Sequence, residues 1–212
     1  MGFTEFMARN LRKPGTGLAG WFISKILKSR NSIVVYHAVR ACNIERHHHV
    51  LEIGFGPGLG MASVAEIIRS GTGKVYGIDF SQSMVDETTG RLSEDIKQGK
   101  ADVRLGDVVS LPFQDASMDR IFHTNCYYFW PDMNAASKEL YRVLKPGGMM
   151  VTVYILEKLV AADNRGFLSH GDWRPERYMQ GLTEVGFLDV ERKSELGEDK
   201  TTTFEVIYAN KK

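Results

Sequence analysis

Three carboxylates, Glu52, Asp79 and Asp107, stand at or near the ends of three apolar runs, and glycines at 54, 56, 58 and 60 follow the first of them. Glycine carries no Cβ, so a ligand can come close to the backbone of such a loop. A loop between a strand and a helix also leaves helix N-terminal N–H groups facing a polar ligand. The dinucleotide fingerprint G-x-G-x-x-G would need glycine at 59, where this chain has Leu59. An acid at 52 is awkward beside a pyrophosphate and favourable beside a cation. The loop therefore reads as a cradle for a nucleoside-like ligand that carries positive charge. Asp79 lies about 20 residues beyond the loop, the distance at which an acid accepts hydrogen bonds from ribose hydroxyls. Asp107 can accept from an exocyclic amine, and Val108 beside it can cover a base face.

A fourth apolar run ends in His123-Thr124-Asn125-Cys126-Tyr127-Tyr128-Phe129-Trp130-Pro131. Tyr127, Tyr128, Trp130 and the distant Trp21 are candidates to line an apolar or aromatic acceptor pocket, and aromatic faces also suit a cation. His123 and His170 are the candidate general bases. His47-His48-His49 does not make a metal site, because adjacent side chains point apart and no Cys or acid is spaced to complete one. No metal is expected.

The elements that hold these residues alternate. Strands are predicted over 50–53, 74–79, 103–105, 118–123 and 149–154, with helices over 59–70, 82–98 and 134–144 between them. Pro146-Gly147-Gly148 ends the last of these helices. Such alternation implies parallel βαβ units and a sheet covered on both faces. A helix at 175–185 and two strands, 187–192 and 203–209, form the tail, the strands pairing as an antiparallel hairpin at the sheet edge. Helical patterns before residue 45, including one over 32–43 with Val35, Val39 and Cys42 on one face, form a cap. Residues 157–172 read as a short loop over the site, which favours a small or extended acceptor.

Composition narrows the class. The 212 residues are 43% hydrophobic and 25% charged, values of an ordinary globular chain, with a net charge of +1. That charge gives no reason to expect nucleic acid or a membrane as partner. The two cysteines, Cys42 and Cys126, lack CxxC spacing and suggest free thiols in a reducing compartment. No apolar run reaches the length of a membrane span, and no secretory signal is visible, so a cytoplasmic location is expected. Nothing in the sequence fixes an oligomeric state.

Val50 to Gly58, Val75-Tyr76-Gly77-Ile78-Asp79, Gly106-Asp107, Leu111-Pro112-Phe113 and Glu139 to Gly148 stand in an order and spacing that resembles the class I S-adenosylmethionine-dependent methyltransferases. The resemblance covers about residues 50–153. It implies an α/β fold, a doubly wound, seven-stranded, mostly parallel sheet of Rossmann-like type with its last strand antiparallel, preceded by an N-terminal helical arm. It implies one methyltransferase domain over 1–212: a helical cap at 1–45, a cofactor-binding core at 46–155, and a substrate-side loop, helix and hairpin at 156–212. In this likeness S-adenosylmethionine is the cofactor. Glu52 would sit near its amino group, and Gly54, Gly56 and Gly58 under its ribose and methionine. Asp79 would take both ribose hydroxyls, and Phe80 and Met84 would flank the adenine. Asp107 would meet the exocyclic amine, Val108 would add a backbone contact, and Asn125 would lie close to the sulfonium.

The chain departs from the family at Asn125-Cys126-Tyr127-Tyr128, where many nitrogen-directed members carry Asp- or Asn-Pro-Pro-aromatic. That disfavours amino-directed methylation of DNA or protein and favours a small-molecule acceptor. Two other readings stay open on the sequence. One is a nicotinamide-dependent oxidoreductase, against which Leu59 and Glu52 argue. The other is a non-catalytic protein that binds S-adenosylmethionine and serves a partner.

Overall fold

The computed structural model describes residues 32–168 and 172–212. A helix, α1, covers 32–41. After it come β1 (His49–Ile53), α2 (Leu59–Ile68), β2 (Lys74–Asp79), α3 (Gln82–Arg91), α4 (Ser93–Lys97), β3 (Ala101–Leu105) and β4 (Met118–Thr124). The second half holds α5 (Met133–Val143), β5 (Leu144–Tyr154), α6 (Leu156–Asn164), α7 (Pro175–Glu184), β6 (Leu188–Leu196) and β7 (Thr203–Asn210). The N-terminal arm expected before α1 lies outside the described residues.

One seven-stranded sheet runs in the order β3-β2-β1-β4-β5-β7-β6. The first five strands are mutually parallel, and β7 is antiparallel to both β5 and β6. The tail hairpin lies at the sheet edge as expected, with β7 beside β5 and β6 outside it. The burial of the two strands explains this order. Val206, Ile207 and Ala209 of β7 are buried, whereas most of β6 is exposed and rich in charge, as suits an edge.

The central strands are buried on both faces, which is why β1 reads Val50-Leu51-Glu52-Ile53 without alternation. On one face α1 and α2 pack Val34, Ala38, Met61, Val64 and Ile68 against Val50, Val75 and Phe122. On the other, α5 and α7 bring Leu140, Tyr178 and Leu182 onto Leu51, Ile121 and Tyr154. Each large apolar side chain buried in this way contributes about 1.5–3 kcal/mol. Asp132 caps α5 by accepting the Ala135 N–H at 2.9 Å.

Three elements differ from expectation. The helix over 82–98 divides into α3 and α4 at Leu92, which turns into the core just after Gly90. Strand β5 begins at Leu144, not at 149, and Pro146-Gly147-Gly148 forms an irregularity within it: Met118 faces Leu144, but Arg120 already faces Met149. Gly147 holds φ +78° there, and its N–H reaches the Lys211 carbonyl at 2.7 Å. The stretch 157–172, expected as a loop, opens with α6. Leu156, Leu159 and Val160 already have helical spacing, and Leu159 is the residue α6 buries.

Candidate functional site

The sheet order reverses between β1 and β4, and the loops after those two strands part to leave a crevice. A cavity of about 310 Å³ occupies that place. The glycine loop forms its floor. Gly54, Gly56 and Gly58 have φ of +67°, +52° and +74°. At Gly56 a Cβ would meet no atom within 4 Å, because that face of the residue looks into the cavity. The opposite constraint holds at Gly60 in the first turn of α2. A Cβ there would come within 2.5 Å of the Glu52 carboxylate.

Side chains from β2 and α3 tether the loop. Asp79 Oδ2 accepts the Gly56 N–H at 2.9 Å, and Oδ1 accepts the Ser81 N–H at 2.9 Å. Thr88 Oγ1 donates to the Gly56 carbonyl at 2.9 Å, and Arg91 Nε donates to that of Pro57 at 2.8 Å. Thr88 and Arg91 had no mark in the sequence, because nothing in the spacing of α3 reveals which face meets the loop. Burial pushes the Asp79 carboxyl above its ordinary range, and the N–H donors of Ser81, Gly56 and Phe80 oppose that.

Gly54, Gly56, Asp79, Phe80, Met84, Asp107, Val108 and Asn125 all line the cavity, as do Tyr128 and Trp130. Two residues of the cofactor set do not. Gly58 is turned toward the Thr88 side chain. Glu52 is buried behind the loop, where the Met61 N–H donates to its carboxylate and Oε2 has no partner among the described residues. Desolvation holds its carboxyl well above the usual range, with the Asp79 charge adding to the rise. Because Glu52 lies off the cavity wall, Leu59 is the residue that speaks against a dinucleotide.

Two acceptor-side expectations change. Tyr127 is fully buried, stacks on Tyr178 with centroids 4.6 Å apart, and donates its hydroxyl to the Trp173 carbonyl at 2.7 Å. It is core and not pocket. His123 is also fully buried and does not line the cavity. Its Nε2 lies 2.8 Å from both Tyr178 OH and Thr152 Oγ1, and burial lowers its pKa to about 3. It is neutral in this setting and out of place for a general base. Trp21 and His170 lie outside the described residues.

Other wall residues were not singled out in the sequence, although most fall in the segment after β4 or in the stretch 157–172 expected over the site. Val35 of α1, Phe129, Lys158 and Leu159 of α6, and Phe167 and Leu168 beyond it all line the cavity. Cys126 does too, with its Sγ near the Ile53 carbonyl and the Trp130 indole N–H. Leu111-Pro112-Phe113 and Glu139 to Arg142 serve as a brace. Arg142 donates to the carbonyls of Leu111 and Phe113, and Glu139 accepts the Leu111 N–H. The structure does bring an acid to the histidine run, with ligand atoms of Glu45, His47 and His48 within 4.8 Å of one another, while His48 Nδ1 accepts the Glu45 N–H at 3.0 Å.

Residues 51–152 match the family model for a methyltransferase domain. The chain is 28% identical over 123 residues to the uncharacterized methyltransferase YdaC of Bacillus subtilis, covering 58% of this chain and 65% of that one. It is 27% identical over 184 residues to the erythromycin 3''-O-methyltransferase of Saccharopolyspora erythraea, covering 79% and 60%. The chain thus spans less than two thirds of the length of these curated relatives. Its fold superposes with a TM-score of 0.68 on a SAM-dependent methyltransferase of Aquifex aeolicus, at 18% identity and with 89% and 96% of the two chains covered.

Proposed function

We propose, from the match of residues 51–152 to the methyltransferase-domain model, that the chain is a class I S-adenosylmethionine-dependent methyltransferase that transfers a methyl group to a small-molecule acceptor by in-line displacement. One observation carries the reading. A single cavity runs from the open face of Gly56 and the Asp79 carboxylate to the aromatic segment after β4. Cofactor residues and acceptor residues therefore share one space.

The residues present fit the cofactor. In this reading Asp79 receives the ribose hydroxyls, Phe80 and Met84 enclose the adenine, and Asp107 with Val108 meets its edge. The open face of Gly56 leaves room for the ligand where any side chain would intrude. Once bound, the sulfonium supplies an electrophilic methyl group. The protein's task is alignment, and orientation alone can supply several kcal/mol. Asn125, at φ +50° on the turn after β4, and Tyr128 and Trp130 beyond it border the place where an acceptor atom would approach. The likeness to the erythromycin 3''-O-methyltransferase supports a small acceptor.

Calorimetric titration with S-adenosylhomocysteine and with NAD tests the cofactor, and a metabolite panel with labelled S-adenosylmethionine, read by mass spectrometry, tests turnover. Binding of the first ligand with labelled product supports the reading. NAD binding without it overturns the reading, and binding with no turnover across the panel assigns a non-catalytic role.

A further inference from the structure

The charged side chains of the cavity are divided between its two sides. Asp79 and Asp107 follow β2 and β3 on one side of the switch point, and Lys158 lies in α6, after β5 on the other side. The segments after β4 and β5 that line the cavity with Lys158 are otherwise mainly apolar and aromatic, with Tyr128, Phe129, Trp130, Leu159 and Leu168. We propose that the acceptor is an apolar, ring-bearing hydroxyl compound, a phenol or its close equivalent, which reacts as the anion with Lys158 beside it; this rests on the methyl-transfer reading above.

The wall's own chemistry leads there. Burial raises the Cys126 thiol and the Tyr128 hydroxyl far above their ordinary range, so both keep their protons. His123 lies off the wall with Nε2 engaged. Among the described residues, then, the acceptor wall offers no group to take a proton. An aliphatic amine would arrive as an ammonium ion and be repelled by Lys158. A phosphate would lose its hydration against aromatic faces without gaining enough from one exposed lysine. A phenolate suits both features: its ring packs on the aromatic wall and its delocalised charge meets the ammonium group. The proton leaves to solvent before transfer. The acceptor oxygen then supplies the electron pair of the new O–CH3 bond, and the pair of the broken S–CH3 bond stays on sulfur. A cation and an anion become a neutral ether and a neutral thioether.

The test uses the purified full chain saturated with S-adenosylhomocysteine and the probe 4-nitrophenol, whose visible absorption reports its ionised fraction. We expect the half-ionisation pH of the bound probe to fall by about one unit in the wild type and in Lys158→Arg. In Lys158→Met it should return to the value of the free probe. With S-adenosylmethionine the nitrophenyl methyl ether should form, and Lys158→Met should lower kcat/KM about tenfold, mostly through KM. Three results overturn the proposal: no binding of the probe to the loaded protein, binding without the shift, or methylation of 4-nitroaniline in preference. If S-adenosylhomocysteine itself does not bind, the methyl-transfer reading falls and takes this proposal with it.

Discussion

The Asp79 carboxylate holds the Gly56 backbone N–H at 2.9 Å, joining the end of β2 to the crest of the glycine loop. The residue proposed to meet the ribose therefore also shapes the floor on which the ligand lies. Asp79→Ala should have two effects. It leaves the Gly56 and Ser81 N–H groups without their acceptor, at about 1–3 kcal/mol for each one that water cannot reach. For a chain of this length the melting temperature then drops by about 2–4 °C per kcal/mol. It should also weaken S-adenosylhomocysteine roughly 10- to 100-fold, the loss of a charge-assisted hydrogen bond. Calorimetry with and without ligand separates the two, and an unchanged melting temperature of the free protein would refute the tethering role.

Gly56 and Gly60 should respond in opposite ways. Gly56→Val adds atoms to open space, so the fold should survive with a backbone cost of roughly 1–2 kcal/mol for a left-handed φ. Ligand binding should be abolished. Gly60→Ala pushes a methyl into the Glu52 carboxylate, so it should destabilise the free protein first. Thermal melts and titrations on the two variants, run in parallel, check the crossing. Equal effects of both changes on stability would contradict it.

Glu52 should make the fold more stable in acid than at neutral pH. Its folded pKa is raised by desolvation, so the folded chain retains a proton that the unfolded chain has lost. Fewer protons bound in the unfolded state mean that stability falls as pH rises. The contribution is complete below the unfolded value of about 4.5 and is lost as pH climbs through the folded pKa. Glu52→Gln removes this slope. The difference in melting temperature between variant and wild type should therefore grow in favour of the variant from about pH 5 to pH 8. A constant difference would show that Glu52 is ionised in the fold.

Much of the cofactor side was legible in the sequence, because its residues are fixed by a short motif on one strand end. Gly56, Asp79 and Asp107 stand at consecutive strand termini, and parallel strands bring such termini to one edge. The acceptor side was less legible. Tyr127 and Tyr128 are neighbours of the same type, and only the 3-10 turn at Tyr127–Phe129 decides that one stacks in the core while the other faces the cavity. Glu52 was misplaced for a similar reason. Its position beside the loop is evident, but its direction depends on α2 crossing close behind, which the absence of a Cβ at Gly60 permits. Lys158 could not be foreseen without α6.

His123 offers the clearest contrast between a catalytic and a structural reading. A general base would give a pH–rate profile with a pKa near neutrality, lost on substitution. The structure places the ring in the sheet with Tyr178 and Thr152, at a pKa of about 3. Between that value and the unfolded 6.5, the unfolded chain binds a proton that the folded chain refuses. More protons bound in the unfolded state make stability rise with pH, so the contribution of His123 should decline from about pH 6.5 toward pH 3, opposite in sign to that of Glu52. His123→Gln should flatten that acid limb. At pH 7 it should also lower the melting temperature, since Tyr178 and Thr152 would have to share a partner of different shape. The pH–rate profile should keep its form, with any loss of rate uniform across pH. A neutral-range inflection that vanishes in His123→Gln would return the residue to the reaction and would require the ring to leave its buried partners during turnover.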